Sequence, residues 1–288
     1  MHTEHKHYGG EPPFGQSQDA QDAPPAPRAE RGDGRDGAAV ASRLEKRIYL
    51  DSGRYRINLR NYGDGLAEIG WSFASSLRPG KVGRGLSEER EEHERRAVRH
   101  AKSRIRQLIL AAKADHLLTL TYQENVTDFD RACVDLRKFV RIVKAKRPGW
   151  IYIAVPEEQA RGAWHWHMAV RGRQDVVLLR SIWRHIVGKG NIDVSPPRGV
   201  GKQRTLALVK YLGKYLAKGF AEGNRALNGR RFRASHGILI PCESFALPAA
   251  ERGNVPGYAL ERLQEAAGAV GFVWVSEDRI AGWACSWK

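Results

Sequence analysis

The amino-acid sequence predicts an α+β protein built on a split βαβ, ferredoxin-like unit with an antiparallel sheet, preceded by a hairpin and a long helix and followed by a C-terminal extension. Two observations carry this. From about residue 115 to residue 220, the apolar spacing switches between two and 3.6 in the order β-α-β-β-α-β and then one more helix. Upstream, a strand-like alternation is broken by Gly63-Asp64-Gly65, the signature of a hairpin. With 288 residues, 42% of them hydrophobic, the chain is long enough to bury a core.

Residues 1–43 hold Pro12-Pro13, Pro24-Pro25-Ala26-Pro27 and Gly32-Asp33-Gly34 and few large apolar groups, which predicts a disordered tail. His2, His5 and His7 fall in it and read as solvated. Residues 44–114 form the next unit. Strand-like alternation from Arg47 includes Tyr55, Ile57 and Leu59, turns at 62–65 and returns over Ala67 to Phe73. A Gly-rich loop over 78–85 leads to a helix at roughly 87–113, with Ala97, Ala101, Ile105, Leu108, Ile109 and Ala112 on one stripe and an Arg-dense outer face.

Residues 115–236 are the informative unit. Leu117 to Tyr122 reads as a strand, and Thr127 or Asp128 caps a helix carrying Phe129, Leu136, Phe139 and Val143. Trp150 to Val155 and Ala163 to Val170 are strands, joined by a turn over Glu157 to Gly162. A helix over about 175–187, a strand from Asn191 to Ser195 and a helix from Thr205 to about Lys218 complete the order. Such a sheet is expected to carry helices on one face and to leave the other free for binding. In the extension, 237–288, Gly237 to Ile240 and Phe272 to Val275 read as strands and Tyr258 to Ala267 as a helix.

Charge narrows the function. Lys and Arg number 48 against 32 Asp and Glu, a net +16, which favours a polyanionic partner. Cys133, Cys242 and Cys285 form no CxxC, which argues against a zinc ribbon or a disulfide framework. No apolar stretch approaches a membrane span, so a cytoplasmic protein without a membrane partner is expected. Gly199-Val200-Gly201-Lys202 lacks the spacing of an ATP-binding loop, with Gln203 where Ser or Thr is needed.

Two constellations carry chemistry. In Trp164-His165-Trp166-His167-Met168, a strand turns both imidazoles to one face and Trp166 and Met168 to the other. Two imidazoles and a carboxylate suit a divalent ion, expected to be Mg2+ or Mn2+; Glu157 is preferred over Glu158, although a one-residue slip exchanges them. Alone, the His pair reads more readily as two hydrogen-bonded or exposed histidines. In Tyr211-Leu212-Gly213-Lys214-Tyr215-Leu216-Ala217-Lys218, a helix aligns Tyr211, Tyr215 and Lys218, sets Lys214 beside them, and puts Leu208, Leu212 and Leu216 on a stripe that can be buried. A phenol, with an ordinary pKa near 10, needs a metal and cations to act as a nucleophile at neutral pH. Arg230, Arg231 and Arg233 flank Phe232, a combination suited to phosphates and bases.

Together these resemble the HUH endonucleases of rolling-circle replication initiators, above all the two-tyrosine phage and plasmid type that includes the gene A proteins of small single-stranded-DNA phages. Leu118-Thr119-Leu120-Thr121 is similar to the family's first motif, His165-Trp166-His167 to its histidine pair and Tyr211 to Lys218 to its tyrosine motif, over about residues 115–220. The resemblance implies nicking of single-stranded DNA at an origin, a 5′-phosphotyrosyl intermediate, a free 3′-OH primer, and a host helicase and polymerase as partners in a bacterial cytoplasm. An HUH transposase or relaxase, and a non-catalytic nucleic-acid-binding module on the same sheet, are the alternatives.

Overall fold

Two five-stranded antiparallel sheets organise the computed structural model, which describes residues 53–75, 90–221 and 231–288. The tail 1–43, the loop 78–85 and Arg230 lie outside the described residues. The chain order is β1 (Gly53–Gly63), β2 (Leu66–Ser75), α1 (Arg90–Ala112), β3 (His116–Tyr122), α2 (Phe129–Lys146), β4 (Tyr152–Glu158), β5 (Trp164–Val170), α3 (Val176–Val187), β6 (Gly190–Ser195), α4 (Lys202–Ala221), β7 (Arg233–Ala234), β8 (Glu243–Pro248), a 3-10 turn (Ala249–Gly253), α5 (Val255–Ala267), β9 (Phe272–Val275) and β10 (Ala281–Cys285).

The central sheet runs β6-β3-β5-β4-β7, so its first four strands have the ferredoxin-like order. Its α2 begins where Asp128 accepts from the backbone N–H groups of Asp130 and Arg131, which settles the cap in favour of Asp128 over Thr127. One face buries Trp164, Trp166, Met168 and Val170 against Leu136 and Phe139 of α2 and Leu179 and Trp183 of α3. The other is not free. Leu117, Ile153, Val155 and Ala169 bring apolar surface to it, and Leu208, Leu212 and Leu216 of α4 cover them, with Ile105, Leu108 and Ile109 of α1 behind. Each such leucine contributes about 1.5–3 kcal/mol by leaving water. The expected open face is therefore a helix-covered one.

The flanking sheet runs β8-β1-β2-β10-β9 and packs α5 through Val255, Ala259 and Leu263 onto Tyr55, Ile57, Ile69 and Trp71. The β1–β2 turn needs positive φ at Gly63, Asp64 and Gly65 (80°, 55° and 71°), which glycine adopts without steric cost and Asp tolerates. Lys113 Nζ meets Asp64 Oδ2 at 2.9 Å, and Lys202 Nζ donates to the Asp64 carbonyl at 3.3 Å, so the lysine of the Gly-Val-Gly-Lys run holds the hairpin tip.

Several boundaries differ from expectation. The strand β4 continues to Glu158, because the predicted turn residues stay paired with β5 as far as Glu158 opposite Trp164. Residues 237–240 are not a strand; Ile238 and Ile240 instead pack as loop residues against the α1–α4 core. Three strands escaped prediction: Arg233–Ala234, which extends the central sheet beside β4, and Glu243–Pro248 and Ala281–Cys285, which join the N-terminal hairpin into one sheet with the C-terminal segment. No described helix is long and apolar enough to cross a membrane.

Candidate active site

Strand register builds the site. Directly opposed residues share a face, so two rows cross the central sheet beneath α4: Asn191, Thr121, His165 and Glu157 in one, Asp193, Thr119, His167 and Val155 in the other. Glu157 lies in the row of His165 and on the face of both histidines, whereas Glu158 pairs with Trp164 on the opposite face. The helix α4 is held to this face by its leucine stripe, which turns Tyr211 and Tyr215 over His167. The His167 ring lies 5.5 Å from that of Tyr211, edge-on, and 4.4 Å from that of Tyr215, stacked; the two phenols are 4.7 Å apart.

The polar contacts are specific. Glu157 Oε2 lies 2.7 Å from His167 Nε2, and its Oε1 accepts from Lys218 Nζ at 3.2 Å. Thr119 Oγ1 is 3.3 Å from His167 Nδ1, so the hydroxyl can donate there while Nε2–H donates to Glu157. Burial alone would raise the Glu157 carboxyl, but the hydrogen bond and charge of His167, and then Lys218, outweigh it and hold the pKa below its ordinary value. Tyr211 is pushed well above the usual phenol range, first by burial, then by its hydrogen bond to Tyr215 and by the charges of Glu157 and Asp193.

His165 is different. It is 7% exposed, and its Nε2 is buried without a hydrogen-bond partner. Burial, reinforced by His167 and Arg161 against the opposing effect of Glu157, lowers its pKa to about 4, so the ring is neutral at physiological pH. A neutral imidazole with a bare nitrogen is the state a metal ligand requires. Among the described residues no three His, Cys, Asp or Glu side chains stand gathered as a ready metal cage. His167 Nε2 and Glu157 Oε2 are bonded to each other.

The structure does not bring every expected residue here. Lys214 is exposed and makes no ion pair among the described residues, leaving Lys218 as the cation of the site. Arg233 pairs with Ala154, which puts it on the face opposite the tyrosines, and Arg231 is half-buried. Trp164 and Trp166 are core residues. Thr119, Thr121, Asn191 and Asp193 were not expected as site residues, although Thr at alternate positions of Leu118-Thr119-Leu120-Thr121 already marks a polar strand face.

Residues 115–220 match the family described as Replication-associated protein ORF2. That stretch is similar to replication-associated proteins. The ORF2-like segment runs from the approach to β3 through most of α4, so it contains both rows, both tyrosines and Lys218, and covers well under half of the chain. The flanking sheet lies outside the match. No curated protein and no solved structure matches the chain.

Proposed function

We propose that the ORF2-like segment nicks and rejoins single-stranded DNA at a replication origin through tyrosine nucleophiles, and that the chain thereby initiates rolling-circle replication. The observation that carries this is the meeting of Tyr211 and Tyr215 with His167 on the face where His165 keeps a buried, unpartnered nitrogen. Likeness to replication-associated proteins and the surplus of cations support DNA as the substrate.

In this reading a tyrosine oxygen bonds to phosphorus as the bond from phosphorus to the 3′ oxygen breaks. The enzyme keeps the 5′-phosphoryl group on tyrosine; the phenol loses its proton and the departing oxygen gains one, which leaves a 3′-OH. The phosphotyrosyl bond conserves the phosphodiester energy, so rejoining needs no nucleotide. A divalent ion held by His165, His167 and Glu157 would supply Lewis-acid polarisation of the scissile phosphate. Thr119 orients His167, and Lys218 balances the carboxylate and the charge that develops at the phosphoryl oxygens. The hydrogen bond between the two phenols lets one hydroxyl support charge on the oxygen of the other as that oxygen attacks.

The test is covalent capture. With Mg2+ or Mn2+ and an origin oligonucleotide, the protein should form a DNA adduct that chelation prevents and that mass spectrometry localises to the α4 peptide. The double variant Tyr211→Phe, Tyr215→Phe should bind DNA and form no adduct; an adduct persisting in it refutes the nucleophile assignment. Binding without any adduct in the wild-type protein would instead favour a non-catalytic module.

A further inference from the structure

The flanking sheet has a second face, turned away from α5, and the register states what stands on it. Arg54, Arg56, Asn58 and Arg60 alternate along β1; Asn58 opposes Gly70, Gly70 opposes Trp283, and Trp283 opposes Trp274. Phe272 shares the face through Cys285 and Glu68. Between this face and α1 lies a cleft of about 520 Å³, with Asn58, Gly70 and Ser72 as its floor, Trp283 as a wall and His100, Arg104 and Gln107 contributed by α1.

The chemistry of this cleft is one-sided. Arg60, Arg104 and Arg106 line it against a single carboxylate, Glu68. Glu68 is 1% exposed and already engaged, accepting from Arg106 Nε at 2.8 Å, Tyr62 Oη at 3.0 Å and Trp283 Nε1 at 3.3 Å. Neither Arg60 nor Arg104 has a carboxylate partner among the described residues. Arg106 also lies over the Trp283 ring at 4.5 Å, fixing that indole as a rigid wall. Beside it, Phe272 and Trp274 keep 47% and 36% of their surface in water, although both are large apolar side chains on an edge strand.

Unpaired guanidinium groups attract phosphates, and exposed aromatic rings in the same sheet face offer stacking to bases that are not themselves paired. A duplex satisfies only the first, because its bases are hidden; an acidic peptide leaves the ring platform unused. We propose that this face is a second binding site for single-stranded DNA, with phosphates on Arg60 and Arg104, a base in the cleft against Trp283 and further bases on Trp274 and Phe272. The choice of DNA rests on the nicking function proposed above; the site would grip the strand away from the tyrosines and keep the nicked ends with the protein.

The experiment measures binding, not cleavage. The full chain, carrying Tyr211→Phe and Tyr215→Phe so that no adduct forms, is titrated against a labelled oligothymidylate of roughly 16 nucleotides over a salt series. Adding Arg60→Ala and Arg104→Ala should lower the slope of log affinity against log salt by about 1.4, two single-strand phosphate contacts. Trp274→Ala should weaken binding by about five-fold or more, and Trp274→Phe should restore most of it. An iodouracil-substituted oligonucleotide should photocrosslink to the peptide that holds Trp274 and Trp283. An unchanged slope and affinity in folded variants, crosslinks confined to the central sheet, or equal affinity for a duplex would each overturn the site. Failure of the chain with both tyrosines to form an adduct, with this binding intact, would remove the nicking function and leave the site standing.

Discussion

Replacing His165 by phenylalanine isolates the most unusual group of the site. The imidazole is buried with one nitrogen unpartnered, and burial first, then the neighbouring His167, lowers its pKa from 6.5 to about 4. A histidine that is harder to protonate folded than unfolded favours the fold fully above pH about 6.5; that contribution fades as pH falls and is gone below about 4. A displacement of that size corresponds to about 3 kcal/mol. For a domain of this size it moves a urea midpoint by on the order of 1 M. His165→Phe keeps a ring of similar volume and removes the titration, so urea midpoints measured by circular dichroism from pH 7 to pH 4 should fall less steeply in the variant than in the wild-type protein. Glu157 and other carboxylates titrate in both, and the difference between the two profiles cancels them. At pH 7 the variant should be no less stable, since a bare buried nitrogen is lost. Adding Mn2+ at pH 7 should raise the wild-type midpoint and leave the variant where it was. Parallel pH profiles would refute the argument that His165 is held neutral by its surroundings.

Leu212→Ala, at a position fully buried between α4 and the central sheet, should cost about 2–5 kcal/mol in denaturant unfolding and loosen both tyrosines together. Asp128→Ala removes the side chain that caps α2 and should cost about 1 kcal/mol in the same measurement, with adduct formation unchanged because the cap lies at the end of a helix on the far face of the sheet.

Much of the central unit was legible in the sequence because its signals are local. A period of two around His165 and His167 puts both imidazoles on one face whatever surrounds them, and a spacing of four aligns Tyr211 with Tyr215 on any helix. The Leu208, Leu212 and Leu216 stripe marked the side of α4 to be buried, and thereby the side left for the phenols. The turn over Glu157 was misread, because nothing within a short run of residues tells a strand end from a turn; pairing with Trp164 and His165 is what extends β4.

Other features needed the tertiary structure. Glu157 and Glu158 are neighbours in the chain, and only the register against β5 decides which carboxylate meets the histidines. Helical spacing separates Lys218, in line with the tyrosines, from Lys214 beside them, but only the packing of α4 on the sheet brings Lys218 to Glu157. The union of β1 and β2 with β8, β9 and β10 joins segments about two hundred residues apart, through backbone hydrogen bonds that carry no side-chain signature. The sequence alone determined the chemistry at hand, two imidazoles, two phenols and an excess of cations, because residue type and local periodicity are properties of short stretches. Which of those groups touch was decided by long-range strand pairing and by the burial of leucines, since both are won only when distant parts of the chain come together.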